Sequence, residues 1–288
     1  MYRSKRFSYG YEETEEQGKN ASTMIDDILK DPEFPKLEEI VIGCWGQVWD
    51  DEESAQTLVD GIVANKDQFS HIKSLFIGDM DYEECEVSWI IQADYSALWD
   101  AMPQLEKLVI KGSSELSLGD ITHDNLKDFE IICGGLPSSI IAQIQNAKLP
   151  SLQKLLLYMG VEDYGFDGDI STVKDLLDKS DFPQLEYLGL VDSEIQDEIA
   201  EIVVNCKYMK QIKTLDLSLG TLTDKGGKVL LGNLKKYPKV EKVDLHYHYL
   251  SDKMIKRLHR LKVEINTEEQ READNYHGEV YYYPMLTE

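Results

Sequence analysis

Cysteine is scarce in this sequence and widely scattered. Cys44, Cys85, Cys133 and Cys206 form no C-x-x-C pair and have no histidine at metal-ligand spacing. That excludes a zinc site and predicts small, half-buried thiols in a reducing compartment. Positive charge is short as well. Thirty Lys and Arg stand against 54 Asp and Glu, a formal net charge of −24. A field of that sign repels phosphate backbones and anionic lipid, so nucleic acid and membrane are excluded as partners and a basic protein surface is favoured. No apolar run approaches the ~20 residues that cross a bilayer. Basic residues at the start are followed by Tyr11-Glu12-Glu13-Thr14-Glu15-Glu16 instead of an apolar core. No signal peptide is therefore expected, and the cytoplasm is the expected location. Phosphate loops and nucleophile elbows are missing too. Gly226-Gly227-Lys228 is followed by Val229 where a phosphate loop needs Ser or Thr, and no Gly-x-Ser-x-Gly occurs. No catalytic residue, cofactor or metal is assigned.

What the chain does have is an apolar ladder, repeated eight times. It reads Leu37-x-x-Ile40-x-Ile42, Ile72-x-x-Leu75-x-Ile77, Leu105-x-x-Leu108-x-Ile110 and Leu126-x-x-Phe129-x-Ile131. It continues as Leu152-x-x-Leu155-x-Leu157, Leu185-x-x-Leu188-x-Leu190, Ile212-x-x-Leu215-x-Leu217 and Val240-x-x-Val243-x-Leu245. Successive first positions are 35, 33, 21, 26, 33, 27 and 28 residues apart. Most gaps admit a strand and a helix, but 21 leaves no room for a full helix. Five ladders share an apolar-Pro-x-apolar lead-in, at Phe34, Met102, Leu149, Phe182 and Tyr237. The proline ends the preceding helix and releases the chain into an extended strand.

Helices are predicted from the patterns Ser54 to Asn65, Tyr95 to Ala101, Ser138 to Asn146, Thr172 to Leu177, Asp197 to Asn205, Asp224 to Leu234 and Asp252 to Leu261. Thr223 and Ser251 are their clearest N-caps. Three regions follow. Residues 1–36 form an N-terminal cap with a strand around Arg6 to Tyr11 and a helix capped by Ser22. Residues 37–265 carry the eight ladders and a short extended run at Lys262 to Ile265. Residues 266–288 are a C-terminal tail or cap, whose Tyr-rich end is expected to lie on the last repeat.

The ladders together with Leu222-Thr223-Asp224-x-Gly226 resemble the ribonuclease-inhibitor-like class of leucine-rich repeats. Stretches such as Ile42-Gly43-Cys44-Trp45-Gly46, Val87-Ser88-Trp89-Ile90-Ile91-Gln92-Ala93-Asp94 and Leu217-Ser218-Leu219-Gly220-Thr221-Leu222-Thr223-Asp224 are similar to a bacterial, uncharacterised leucine-rich-repeat family. The resemblance spans roughly residues 37 to 252. It implies an α/β right-handed solenoid, a horseshoe with a parallel concave sheet and convex helices. It implies no catalytic residue.

Side chains alternate along a strand, so the positions between the ladder residues line the concave face. One lane reads Val41, Phe76, Val109, Glu130, Leu156, Gly189, Asp216, Asp244. The next reads Gly43, Gly78, Lys111, Ile132, Tyr158, Val191, Ser218, His246, and the third runs from Glu39 through Tyr187 to Lys242. Val41, Phe76 and Val109 make an apolar strip, with Tyr158 further along, and exposed apolar surface marks interaction sites. Tyr187, Asp192, Asp216, Asp244 and His246 gather at the other end, with Lys242 as a neutraliser between adjacent carboxylates. The rim loops add Trp45, Trp49, Asp79 and Asp81, where tryptophan is a typical binding anchor. Trp89 is expected to pack between repeats, and His248 to be a structural edge residue. These features describe a non-catalytic protein-binding scaffold. The alternative is a metal-binding or hydrolytic domain built on Asp192, Asp216, Asp244 and His246.

Overall fold

A computed structural model describes residues 2–48 and 53–287. Ten strands pair in the order of the sequence to form one parallel sheet. They are β1 (Ser4–Phe7), β2 (Glu39–Ile42), β3 (Ser74–Ile77), β4 (Lys107–Lys111) and β5 (Asp128–Ile132). Then come β6 (Lys154–Gly160), β7 (Tyr187–Ser193), β8 (Thr214–Asp216), β9 (Lys242–Asp244) and β10 (Glu264–Asn266). The ladders set the register. Ile40, Leu75, Leu108, Phe129, Leu155, Leu188, Leu215 and Val243 pair strand to strand. All of these are at most 1% exposed, and they form one continuous core with the inward faces of the helices. A slip of one residue would turn every one of them to the open face, which is why the register is so firmly specified.

The helices before Pro35, Pro150 and Pro183 have already ended at Lys30, Gln145 and Lys179, so these prolines shape the turn into the strand and do not stop the helix. In all five lead-ins the second apolar residue returns its backbone N–H to the carbonyl of the first: Leu37 to Phe34, Leu105 to Met102, Leu152 to Leu149, Leu185 to Phe182 and Val240 to Tyr237. Proline sits at the second position of each tight turn, where its fixed φ belongs. After three of these turns the next residue is a glutamate that pairs with a lysine of the following repeat. Glu38 pairs Lys73, Glu106 pairs Lys127 and Glu186 pairs Lys213, each at 2.8 Å. These are exposed pairs of small energetic weight, but they fix neighbours side by side.

Helices fill the gaps: α1 (Ala21–Lys30), α2 (Gln56–Ala64), α3 (Leu98–Ala101), α4 (Ser138–Gln145), α5 (Ile170–Lys179), α6 (Gln196–Val203), α7 (Asp224–Asn233) and α8 (Asp252–Leu258). No helix lies between β4 and β5, the pair joined by the shortest gap. Thr223 and Ser251 cap α7 and α8 as expected. For α1 the cap is Asn20, not Ser22. Asn20 Oδ1 accepts the N–H groups of Ser22 and Thr23, and the Thr23 hydroxyl accepts the Asn20 N–H. The first strand also starts earlier than predicted, so Tyr9 is buried while Tyr11 is 75% exposed. No helix among the described residues is long and apolar enough to cross a membrane.

The C-terminal region meets the last repeat at Tyr249 and reaches beyond it. After β10 the chain forms an antiparallel hairpin, β11 (Asp274–Tyr276) and β12 (Glu279–Tyr281), whose strand residues are all exposed. The tail beyond it does not rest on the last strand. It turns back across the strand ends, with Tyr283 at Tyr249 after β9, Met285 at Leu219 after β8 and Leu286 at Asp192 on β7.

Candidate functional site

The open face of the sheet carries the lanes read from the alternation, in that register. Arg6, Val41, Phe76, Val109, Glu130, Leu156, Gly189, Asp216, Asp244 and Asn266 lie in one row. A charge cluster on β4–β6 divides this face. Lys154 lies 2.8 Å from Glu130 and Lys107 3.3 Å from it, and both lysines flank Asp128 at 3.8–3.9 Å. Burial and the neighbouring Glu130 push the Asp128 carboxyl above the usual range. Glu130 is buried as well, but its direct contacts to Lys154 and Lys107 hold it below the usual range.

On the N-terminal side the apolar strip is narrower than expected. Val41 and Phe76 are half-buried, but Val109, in the same row of the open face, is only 3% exposed. The rim residues are largely engaged within the chain. Trp45 is fully buried, with its indole N–H directed at the Glu53 carbonyl at 3.4 Å, so it is a core residue and not a binding anchor. Asp79 accepts the Arg6 guanidinium at 2.8 Å, which ties this loop to β1. Asp81 is exposed and accepts the Glu84 N–H in a local turn. Trp49 lies outside the described residues. Trp89, expected between repeats, is instead 59% exposed. It sits on a three-residue turn whose flanking Val87 and Ile90 take the inward positions. All four cysteines are free and buried, further inside than the half-buried positions expected of them.

On the C-terminal side the predicted residues do come together. Tyr187 donates its hydroxyl to Asp216 at 2.5 Å, and the Lys154 ammonium lies 5.1 Å over the Tyr187 ring. Asp216 also accepts the Ser218 N–H at 3.0 Å. On the next strand, Asp244 Oδ1 accepts from His246 Nδ1 at 2.8 Å and Asn266 at 3.0 Å, while Oδ2 lies 3.2 Å from Lys242. Burial opposes its charge, but the bonds from His246, Lys242 and Asn266 hold the carboxyl below the usual range. Lys242 thus pairs with Asp244 alone, and Asp216 is held instead by the Tyr187 hydroxyl. Among the described residues no group of three or more His, Cys, Asp or Glu side chains is placed to hold a metal ion.

Asp192 stands apart from this cluster. It is fully buried at the end of β7 with φ 56° and gives Oδ1 to the Leu286 N–H at 2.8 Å. Its Oδ2 has no hydrogen-bond partner. Burial pushes the carboxyl up to about 7 in spite of the backbone N–H groups of Leu286 and Met285. Beside it a cavity of about 320 Å³ is lined by Leu156, Tyr158, Val191 and Leu219, by Asp216 and His246, and by Met285 and Leu286 of the tail. The role of the tail at this site was invisible in the sequence, which showed an apolar end without a period to say where it docks. His248 is structural: Leu250 donates its N–H to Nδ1, which leaves Nε2 to donate to the Thr267 carbonyl.

No family model and no curated protein matches the chain. Among solved structures it is similar to a protein of Bacteroides fragilis, at 44% identity and a TM-score of 0.88, over 94% of this chain and 75% of that one. The chain belongs to the family of that Bacteroides protein.

Proposed function

We propose that this protein is a non-catalytic binding scaffold of the cytoplasm, a right-handed leucine-rich-repeat solenoid of the ribonuclease-inhibitor-like kind. Its concave face takes another protein with a basic surface. The repeat reading is supported by ten parallel strands in chain order, the ladder on each of eight of them and helices in most of the gaps. The binding reading is carried by one observation. The apolar depression near Tyr158 opens beside a row of carboxylates, Asp216 and Asp244, in a chain of net charge −24. A basic partner would be steered to such a surface and held on its apolar floor. The aspartates are already held by Tyr187, Lys242, His246 and Asn266, which suits recognition of a large charged surface better than capture of a bare cation.

The test is capture of partners from the native cell by the unmodified chain and by the double variant Asp216→Lys, Asp244→Lys. A control reverses Asp175 and Asp178, exposed acids of α5. A protein lost with the first pair and kept with the control supports the assignment. Equal recovery on all three proteins refutes it.

A further inference from the structure

The last described residues occupy the candidate site in a way that specifies what else fits there. Tyr283 exchanges hydrogen bonds with the Tyr249 hydroxyl, at 3.1 Å from its N–H and 2.9 Å to its carbonyl. Met285 donates its N–H to the Leu219 carbonyl at 2.8 Å, and Leu286 donates its own to Asp192 at the same distance. Leu219 and Asp192 sit at matching positions of neighbouring strands, and both are left-handed, at φ 66° and 56°. Leu219 thus presents its carbonyl, and Asp192 its side-chain Oδ1, to a chain crossing the strand ends. At the far side, Gly134 leaves room for the Thr287 carbonyl, which a Cβ there would approach to 2.6 Å. On the tail's side these are all main-chain groups, so any extended segment of suitable shape can offer them to Tyr249, Leu219 and Asp192.

The occupant fits the site imperfectly. Met285 is 56% exposed, and an apolar cavity of about 320 Å³ stays open beside it. Asp192 Oδ2 is buried without a partner, an arrangement that a better donor set would relieve. The hairpin that carries the tail has no buried strand residue to anchor it, and a two-stranded hairpin alone is marginal.

We propose that the groove across the ends of β7–β9 is a receptor site for an extended segment of a partner protein, and that Pro284–Thr287 fill it as an internal stand-in that the partner displaces. The segment presents two consecutive main-chain N–H groups bearing apolar side chains, one of them large enough to fill the open cavity. Its flanks are basic, to match Asp216 and Asp244. This rests on the assignment of the concave face as the binding surface and names how the partner enters it.

The experiment compares the full chain with the full-length variant Met285→Asp, Leu286→Asp, whose tail is driven off the apolar floor. The probe is a fluorescein-labelled, amidated heptapeptide with the sequence of residues 281–287, followed by anisotropy. A tail that is seated more than nine-tenths of the time weakens peptide binding about 10-fold or more. The released variant should therefore bind at least about 10-fold tighter than the unmodified chain. A peptide N-methylated at the leucine corresponding to Leu286 cannot donate to Asp192 and should lose the gain. Equal affinity for the two chains, no saturable binding to either, or undiminished binding of the N-methylated peptide would overturn the proposal. Loss of a captured basic partner on reversal of Asp216 and Asp244 would still stand in those cases, so the two ideas fail separately.

Discussion

Replacing Asp192 by Asn should flatten part of the pH dependence of stability. Asn keeps the shape, accepts the Leu286 N–H through its carbonyl oxygen and tolerates the left-handed backbone at φ 56°. What it removes is the titration. Burial raises the Asp192 carboxyl from 3.8 to about 7 in the native protein. Because the folded value lies above the unfolded one, the native state keeps a proton that the unfolded chain gives up. The contribution is therefore intact below about pH 4 and is lost as pH rises toward 7. With about 1.36 kcal/mol for each unit of separation, the loss between pH 5 and pH 8 comes to roughly 2.5 kcal/mol. The titratable groups facing Asp192 are Cys133, Tyr158 and Tyr247, and burial raises all three, so none of them ionises in that window. The assay is urea unfolding of both proteins at pH 5 and pH 8, with the gap between them taken at each pH. Subtraction cancels the other carboxylates. The unmodified chain should lose about 2.5 kcal/mol relative to Asp192→Asn over this range. A gap that is constant within about 0.5 kcal/mol would refute the argument, since it would mean that Asp192 is charged throughout.

Two further outcomes follow from packing and capping. Leu215, fully buried on β8, should cost about 2–5 kcal/mol when changed to Ala, measured by urea unfolding. Asp169, whose carboxylate caps α5 by accepting from Ser171 and Thr172, should cost about 1 kcal/mol as Asp169→Ala, with a thermal midpoint lower by a few degrees.

The sheet was legible because its signal is redundant. Leu155 and Leu215 could be assigned inward from strict alternation alone, and the paired lanes then followed without ambiguity. Short helices were placed within a few residues, since Thr223 and Ser251 announce their caps chemically. Tryptophans misled, because size and amphipathicity do not say which way a residue outside regular structure points. Trp45 closes over the core, whereas Trp89 is turned outward by the inward claims of Val87 and Ile90. Val109 shares the lane of Phe76 yet is buried, which shows that a lane gives direction but not accessibility. Asp192 was found as an acid but not as a contact of the tail. That contact joins residues 94 apart, and no local pattern encodes it.

Strand order has a kinetic consequence. The eight ladders succeed one another at intervals of 21 to 35 residues, so closing each new strand onto its neighbour carries nearly the same entropic cost, within about 0.5 kcal/mol. No single pairing is privileged as the place to begin. Growth can spread like a zipper in either direction, and opening should start at β1 or β10, so amide exchange should be slowest in the central strands. The bond from Leu286 to Asp192 obeys a different clock. It needs β7 and β8 already side by side, and the last twenty or so residues made, before its two ends can meet. Residues 284–287 would then be a late arrival on a finished surface, and throughout assembly the groove they cover would be open to whatever reached it first.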